Sequence, residues 1–181
     1  MSVPATTPKS LAQRALQDFR QGRFADAAEG FRASREGYEQ AGDLPAAAEA
    51  ANNQSVALLQ AGRPQEARRA VEGTLDVFER VGDSVRAAQA VGNLASASEA
   101  CGDLEAAEHF YQAAVERFAA LGDSAAQAMV LNSLSQLQLK RGRPLEAMTT
   151  MQAGLEHKPR RSLRDRWLQG LLRIPSRLLR G

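Results

Sequence analysis

The sequence has little of what catalysis and metal binding usually require. It contains a single cysteine, Cys101, so no disulfide can form within the chain. Its two histidines, His109 and His157, lie far apart, and neither has a second histidine, cysteine or carboxylate at a spacing that makes a persuasive metal site. We therefore predict no catalytic residue, no metal site and no cofactor, and we interpret these three residues as ordinary parts of helices.

Long apolar segments are also absent. No uninterrupted apolar run approaches the length that a bilayer-spanning helix needs. Residues 1–8 have neither the basic start nor the apolar core of a secretory signal peptide. The glycines are not clustered as they are in a phosphate-binding loop. These absences predict a cytoplasmic protein that is not an enzyme.

Charge is divided unevenly along the chain. Residues 1–157 carry 15 Lys/Arg and 20 Asp/Glu, a net charge of −5, whereas residues 158–181 carry 8 Lys/Arg and one acid, a net charge of +7. The basic character therefore belongs to the last segment alone. That segment has only one aromatic residue and no recognised motif, so we expect no nucleic-acid binding.

Glycine, by contrast, recurs at a fixed interval of 20 residues. A glycine just past a helix supplies the left-handed backbone that ends it, so this series predicts helices of equal length joined by short turns. Two kinds of 20-residue unit alternate, which makes the true repeat 40 residues and predicts antiparallel helix pairs. The series consists of Gly22, Gly42, Gly62, Gly82, Gly102, Gly122 and Gly142.

The residues around these glycines support helices. Pro64 and Pro144 fall where a first helical turn tolerates proline, and Asp43, Asp83 and Asp123 stand at predicted N-caps. Apolar residues recur at steps of four and seven, which places them on one face of each helix. In the second helix of each pair this stripe is Ala27, Phe31, Tyr38; Ala67, Val71, Phe78; Ala107, Tyr111, Phe118; and Ala147, Met151, Leu155. In the first helices it is Ala48, Ala51, Leu58; Ala88, Val91, Leu94; and Ala128, Leu131, Leu134.

This pattern resembles the tetratricopeptide repeat family. The resemblance rests on the segment Asn93-Leu94-Ala95, on the turn glycine, on the Glu-Ala that follows it, and on a large residue four places further on (Phe31, Val71, Tyr111 or Met151). It implies an all-α, right-handed solenoid of four helix pairs. The period of 40 exceeds the usual 34, the usual first-helix tryptophan is absent, and Gln54 stands where leucine is expected. The predicted units are residues 9–41, 42–81, 82–121 and 122–157, after a flexible start over residues 1–8.

In this family the first helix of each pair lines a concave surface that binds a peptide or helix of another protein. An asparagine offers both a donor and an acceptor, so recurring asparagines on this surface would suit a peptide backbone. The alternative is that the amides satisfy neighbouring helices or face water. The residues that the resemblance places there are Asn52, Asn53, Val56, Leu59, Gln60, Asn93, Ser96, Glu99, Asn132, Gln136 and Lys140.

The basic segment from residue 158 onwards is the second candidate for interaction. We predict an amphipathic helix that ends before Pro175 and carries Leu163, Trp167, Leu171 and Ile174 on one face, with Arg166 and Arg173 elsewhere. Three roles remain open for it. It caps the solenoid, lies on an anionic membrane surface, or binds a partner or another copy of the chain. The leading hypothesis is thus an adaptor with a peptide-binding groove, and the alternative is a self-assembling or membrane-surface scaffold.

Overall fold

Helices account for nearly all of the part of the chain that the structure describes, residues 7–157 of a computed structural model. Nine helices are present there. They pack as four consecutive antiparallel pairs, because the second helix of one pair is divided into two shorter helices. The predicted basic helix, with its six candidate residues between 163 and 174, lies outside the described residues. The helices are α1 (Pro8–Arg20), α2 (Phe24–Gln40), α3 (Leu44–Gln60), α4 (Pro64–Val71), α5 (Thr74–Arg80), α6 (Ser84–Ala100), α7 (Leu104–Ala120), α8 (Ser124–Lys140) and α9 (Pro144–His157).

The glycine series ends the helices as predicted. All seven members have a positive φ, between 69° and 84°. After α2, for example, the Gly42 N–H donates to the Glu39 carbonyl at 3.1 Å and the Asp43 N–H donates to the Tyr38 carbonyl at 2.9 Å. This is the Schellman arrangement, which satisfies carbonyls that the helix leaves unpaired.

The predicted helix starts are also confirmed. The side chains of Asp43, Asp83 and Asp123 accept hydrogen bonds from the backbone N–H groups three residues later, at 3.1, 2.9 and 2.9 Å. Asp103 caps α7 in the same way, at 3.2 Å. Because each cap lies directly after a turn glycine, one short turn both ends a helix and starts the next.

The second helix of each pair is its outer helix, and one outer helix differs from the prediction because it is broken. Residues 64–80 form α4 and α5, separated by Glu72 in an extended conformation and Gly73 with a φ of +78°. The buried Thr74 hydroxyl after the break lies 2.8 Å from the Val71 carbonyl oxygen and 3.0 Å from Asn52 Oδ1. The other outer helices have alanine where this one has Gly73, so the glycine was the available signal.

Small residues and a few large ones form the core between the helices. Ala27, Ala67, Ala107 and Ala147 are fully buried, as their place on the predicted stripe requires. The stripe residues of the first helices are also buried, except the half-buried Leu94. Alanine at these positions lets helices approach closely, which is how a chain poor in aromatic residues fills its interior.

The last outer helix is the exception to this burial. Met151 is 44% exposed and Leu155 58% exposed, although both lie on the predicted apolar stripe. The residues that correspond to Met151 in the earlier pairs are Phe31, Val71 and Tyr111, and they are at most 4% exposed. The prediction that the stripe of α9 is buried is therefore wrong for the described part of the chain, where no helix covers its outer side.

Candidate functional site

The first helices of the pairs lie side by side and line a series of cavities. We call α1, α3, α6 and α8 the inner helices and the others the outer helices. One cavity of about 260 Å³ lies between α1 and α3, a second of about 300 Å³ between α3 and α6, and a third of about 360 Å³ between α6 and α8. Because the repeat is 40 residues long, a residue of one inner helix corresponds to the residue 40 positions later in the next inner helix.

Each of these cavities adjoins the next. Glu49 and Asn53 line both the first and the second cavity, and Gln89 and Asn93 line both the second and the third. We call the combined surface the groove. It runs along the inner helices of all four described pairs, so it can accommodate an elongated ligand better than a small compact one.

The first and third cavities of the groove are largely apolar. Leu16, Phe31 and Tyr38 line the first, and Tyr111, Phe118 and Met129 line the third. Met129 is 73% exposed, which is unusual for a large apolar side chain next to buried aromatic residues. Each of these cavities can hold an apolar side chain, since apolar lining is what such sites generally use.

The middle cavity is polar, and its charges are paired. The Arg86 guanidinium donates to Glu49 Oε2 at 2.8 Å and to Asp83 Oδ2 at 2.7 Å, and it lies 5.4 Å from the centre of the Phe78 ring. The pKa of Asp83 is held below its usual value, because the Arg86 backbone N–H and then its guanidinium stabilise the carboxylate. Arg86 is therefore fixed in place and largely neutralised.

The amides of the middle cavity, by contrast, are available. The side chains of Asn53, Gln89 and Asn93 make no hydrogen bond to any other residue of the described chain. They stand around the cavity next to the Glu49–Arg86 pair. An approaching peptide group would find both donors and acceptors here.

A hydrogen-bonded tyrosine forms part of the third cavity. The Tyr111 hydroxyl donates to Glu99 Oε2 at 2.9 Å and lies 3.4 Å from Ser96 Oγ, and Glu99 is also paired with Lys140. Burial raises the pKa of Tyr111 to about 12, so this hydroxyl is protonated at neutral pH. The Glu99 carboxylate thus pairs with Lys140 and accepts the hydrogen bond of Tyr111.

Gly92 opens the same cavity. It lies in the middle of α6, and a Cβ added to it would meet nothing within 4 Å. The situation is different at Gly30, Gly37 and Gly154, which also lie inside helices. A Cβ added at any of these three would meet a residue of the paired helix. No close approach between helices explains Gly92, although glycine costs a helix about 1 kcal/mol relative to alanine.

The structure brings some predicted site residues together and separates others. Asn53 and Asn93 both line the groove. Asn52 also lines the middle cavity, but it is 6% exposed and its Oδ1 lies 3.0 Å from the Thr74 hydroxyl, so this amide already contacts a neighbouring helix. Asn132, Gln136 and Gln60 are exposed but line none of the three cavities, while Val56 and Leu59 are half-buried.

Sequence reasoning missed several residues of the groove. Glu49, Gln89 and Met129 share one position in successive repeats, so the 40-residue period was the signal that could have found them. Arg86 was also missed, since Lys140 was the only cationic residue predicted on the inner face. The apolar part of the groove comes from residues such as Met129 and Tyr111 rather than from Val56 and Leu59.

Other chemistry is not apparent in the described residues. His109 is exposed and Cys101 is half-buried. No group of three or more His, Cys, Asp or Glu side chains suited to a metal ion occurs between residues 7 and 157. Over the same range, no helix is both long enough and apolar enough to cross a membrane.

The fold and the groove define an all-helical repeat protein of the solenoid class. The family model described as tetratricopeptide repeat matches residues 7–80 and 86–160. The chain therefore belongs to the tetratricopeptide repeat family, as the turn motifs indicated. This fold is typical of protein-interaction scaffolds.

Solved structures share the fold at low sequence identity. BtubC (BKLC) from P. vanneervenii aligns with a TM-score of 0.75 and 18% identity, over 87% of this chain and 66% of that chain. This chain thus spans just under two thirds of the length of BtubC. The nearly identical TPR-like repeats of a putative kinesin light chain from Podosopora anserina align with a TM-score of 0.65 and 15% identity, over 96% of this chain and 97% of that chain. A search of curated proteins found no match.

Proposed function

We propose that this protein is a non-enzymatic, cytoplasmic adaptor that binds a peptide or helix of another protein in its groove. The observation that carries the proposal is the row of three adjoining cavities, with unpaired amides in the middle and apolar lining on both sides. A ligand of matching pattern inserts an apolar side chain at each end and presents peptide groups to Asn53, Gln89 and Asn93. Because these amides recognise the peptide backbone of the ligand, binding requires few particular side chains of the ligand.

The charges of the groove support a ligand without a strong requirement for charge at its centre. Glu49 and Arg86 neutralise each other in the middle cavity, and Glu99 and Lys140 do so beside the third. Affinity then comes from apolar burial and from hydrogen bonds. Each hydrogen bond contributes about 0.5–1.5 kcal/mol. Such a ligand is an extended segment or an amphipathic helix.

The proposal is tested by removing two of the groove amides together. We expect Asn53→Ala/Asn93→Ala to weaken partner binding by roughly 1–3 kcal/mol, since two hydrogen bonds are lost, while the helical circular dichroism stays unchanged. Partners would be captured by affinity purification, identified by mass spectrometry and then titrated against purified variants. The matched control is Gln65→Ala/Gln112→Ala, which removes two exposed amides from outer helices.

A second variant tests the third cavity by filling it. Gly92→Leu projects into open space, so we expect it to block the apolar end of the groove without disturbing the core. A partner that binds both the double-asparagine variant and Gly92→Leu as tightly as the control variant would contradict the groove assignment.

A further inference from the structure

Arg86 shows, within this structure, how a guanidinium is held at the start of an inner helix. Its guanidinium donates to Asp83 Oδ2 at 2.7 Å and to Glu49 Oε2 at 2.8 Å, and it lies 5.4 Å from the centre of the Phe78 ring. Asp83 uses its other oxygen, Oδ1, to cap α6. A guanidinium site here thus consists of an aromatic ring of an outer helix, the aspartate that caps the next inner helix, and a side-chain oxygen of the preceding inner helix.

The same arrangement recurs 40 residues later, and all three of its components line the third cavity. The ring is that of Phe118, the capping aspartate is Asp123, and the oxygen-bearing side chain is that of Gln89. Ala126, which also lines the cavity, stands at the position that corresponds to Arg86. The chain therefore supplies the surroundings of a guanidinium at this cavity but not the guanidinium itself.

Asp123 has an oxygen that is free to bind a cation. Its Oδ1 accepts the hydrogen bond of the Ala126 N–H at 2.9 Å and so caps α8. Its carboxylate forms no ion pair with any residue between 7 and 157. The corresponding free oxygen of Asp83 is the one that accepts from a guanidinium. Among the described residues that line the third cavity, Asp123 alone is charged, so the cavity is electrostatically complementary to a cation.

The third cavity also has room for a long side chain that enters from the groove. It encloses about 360 Å³, and Gly92 contributes no side chain to it, whereas the corresponding residue of α3 is Asn52. Met129 and Val130 supply apolar surface against which the methylene stem of an arginine can pack. A purely apolar side chain would remove water from the Asp123 carboxylate without pairing it, which costs free energy.

The first cavity differs from the third in its charge. It is lined by Tyr38 and Ala46, the counterparts of Phe118 and Ala126, so no arginine of the chain fills it either. In the place of Gln89, however, it has Lys9, whose positive charge repels a second cation. The two ends of the groove are therefore not equivalent.

We propose that the third cavity binds an arginine side chain of the ligand, with its guanidinium on the Phe118 ring and against the Asp123 carboxylate. This proposal rests on the proposed function, and it specifies the side chain that the ligand inserts at one end of the groove. The stem of arginine is apolar, so the apolar contact expected at this end is retained. Arginine is favoured over lysine because its planar group stacks on an aromatic ring while it donates hydrogen bonds. Since only one end of the groove suits a cation, the arginine also fixes the direction of the ligand.

Three matched peptides test the chemistry of the cavity. Each has the form acetyl-Ala-Ala-X-Ala-Ala-amide, where X is arginine, citrulline or leucine, and citrulline has the shape of arginine without its charge. Each peptide is titrated into the full-length protein while NMR follows the Met129 methyl group and the Ala126 amide. We expect both signals to shift, and the arginine peptide to bind more tightly than the other two by roughly five-fold or more.

Substitutions of the cavity residues test the assigned contacts. Asp123→Asn keeps a residue that caps helices well but removes the charge, so the arginine peptide should bind roughly five-fold more weakly. The matched control is Asp43→Asn, which changes the corresponding cap of α3 and should leave binding unchanged. Ala126→Arg should abolish binding, because the new side chain takes the place that Arg86 has in the middle pair. The corresponding change at the first cavity, Ala46→Arg, should not.

Several outcomes would overturn the assignment of arginine to the third cavity. They are an arginine peptide that does not bind, equal binding of the arginine and citrulline peptides, tighter binding of the leucine peptide, and unchanged binding to the Ala126→Arg variant. None of them decides the proposed function, which is judged by the captured partners and the Asn53→Ala/Asn93→Ala variant. Conversely, arginine-peptide binding that persists in that variant would support the cavity even if partner capture did not depend on the groove amides.

Discussion

Glycine serves three different purposes at the scale of single residues. Gly42 and its six counterparts adopt a left-handed backbone that ends a helix. Gly30 lets α1 and α2 approach, since a Cβ added there would lie 2.9 Å from the Ala15 Cβ. Gly92 does neither, and its effect is to leave the third cavity open.

Replacement by alanine should distinguish these purposes. We expect Gly92→Ala to raise the free energy of unfolding by about 1 kcal/mol, because alanine favours the helix and its Cβ meets no neighbour. Gly30→Ala should instead lower it, since α1 and α2 must move apart. Urea denaturation of both variants measures the difference. A loss of stability in Gly92→Ala would mean that the glycine has a structural purpose after all.

Adjacent amides likewise have different fates. The sequence predicts Asn52 and Asn53 alike as groove residues, and both line the middle cavity. Asn52, however, is buried against Thr74, while Asn53 is exposed and lines the first cavity as well. The difference follows from the break at Gly73, which brings the Thr74 hydroxyl to Asn52. The period could place both residues on an inner helix, but only packing showed which amide was already satisfied.

At the scale of helices, two ion pairs occupy the same place with their charges exchanged. Arg68 of α4 pairs with Asp103 at 3.3 Å, and Glu108 of α7 pairs with Arg143 at 2.7 Å. Both pairs join an outer helix to the turn that precedes the next outer helix, and each member of one pair is 40 residues from the corresponding member of the other. Glu108 is buried, and it also accepts a hydrogen bond from Arg141.

This symmetry allows an exchange experiment. We expect Glu108→Arg to lower the free energy of unfolding, because it places a third positive charge beside Arg141 and Arg143. Adding Arg143→Asp recreates the Arg68–Asp103 arrangement and should restore part of the loss, the remainder being due to Arg141. Thermal denaturation of the single and double variants measures this. If the double variant were less stable than the sum of its single changes predicts, the two pairs would not be equivalent.

At the scale of the whole molecule, the main contacts between helices within residues 7–157 lie inside a pair or between neighbouring pairs. The stability of such an array is close to a sum of repeat terms and interface terms, so an end that loses an interface should unfold locally before the middle does. The last pair has its outer side uncovered within residues 7–157, which makes it sensitive to the segment that follows.

Hydrogen exchange should reveal this dependence. We expect a chain that ends at residue 157 to lose amide protection in α8 and α9 relative to the full-length protein, while α3 and α6 keep theirs. Removal of residues 1–6 is the control for truncation as such. Equal protection of α9 in both chains would contradict the view that the following segment stabilises it.

The sequence by itself determined the repeat, the helix ends and the pairing. A left-handed glycine and a capping aspartate act within a few residues, so their spacing alone predicts where helices stop and start. It also predicted the buried stripe for three of the four pairs, apart from Tyr38 and Leu94, which are half-buried. These features are local, or recur with the period of the chain.

Only the tertiary structure decided which inner residues form the groove and which are already satisfied. Met129, Tyr111 and Arg86 line the groove because helices distant in sequence lie side by side. The Asn52 side chain is already in contact with Thr74 because one outer helix is broken. A groove is a property of the spaces between helices, and those spaces depend on packing that no single segment encodes.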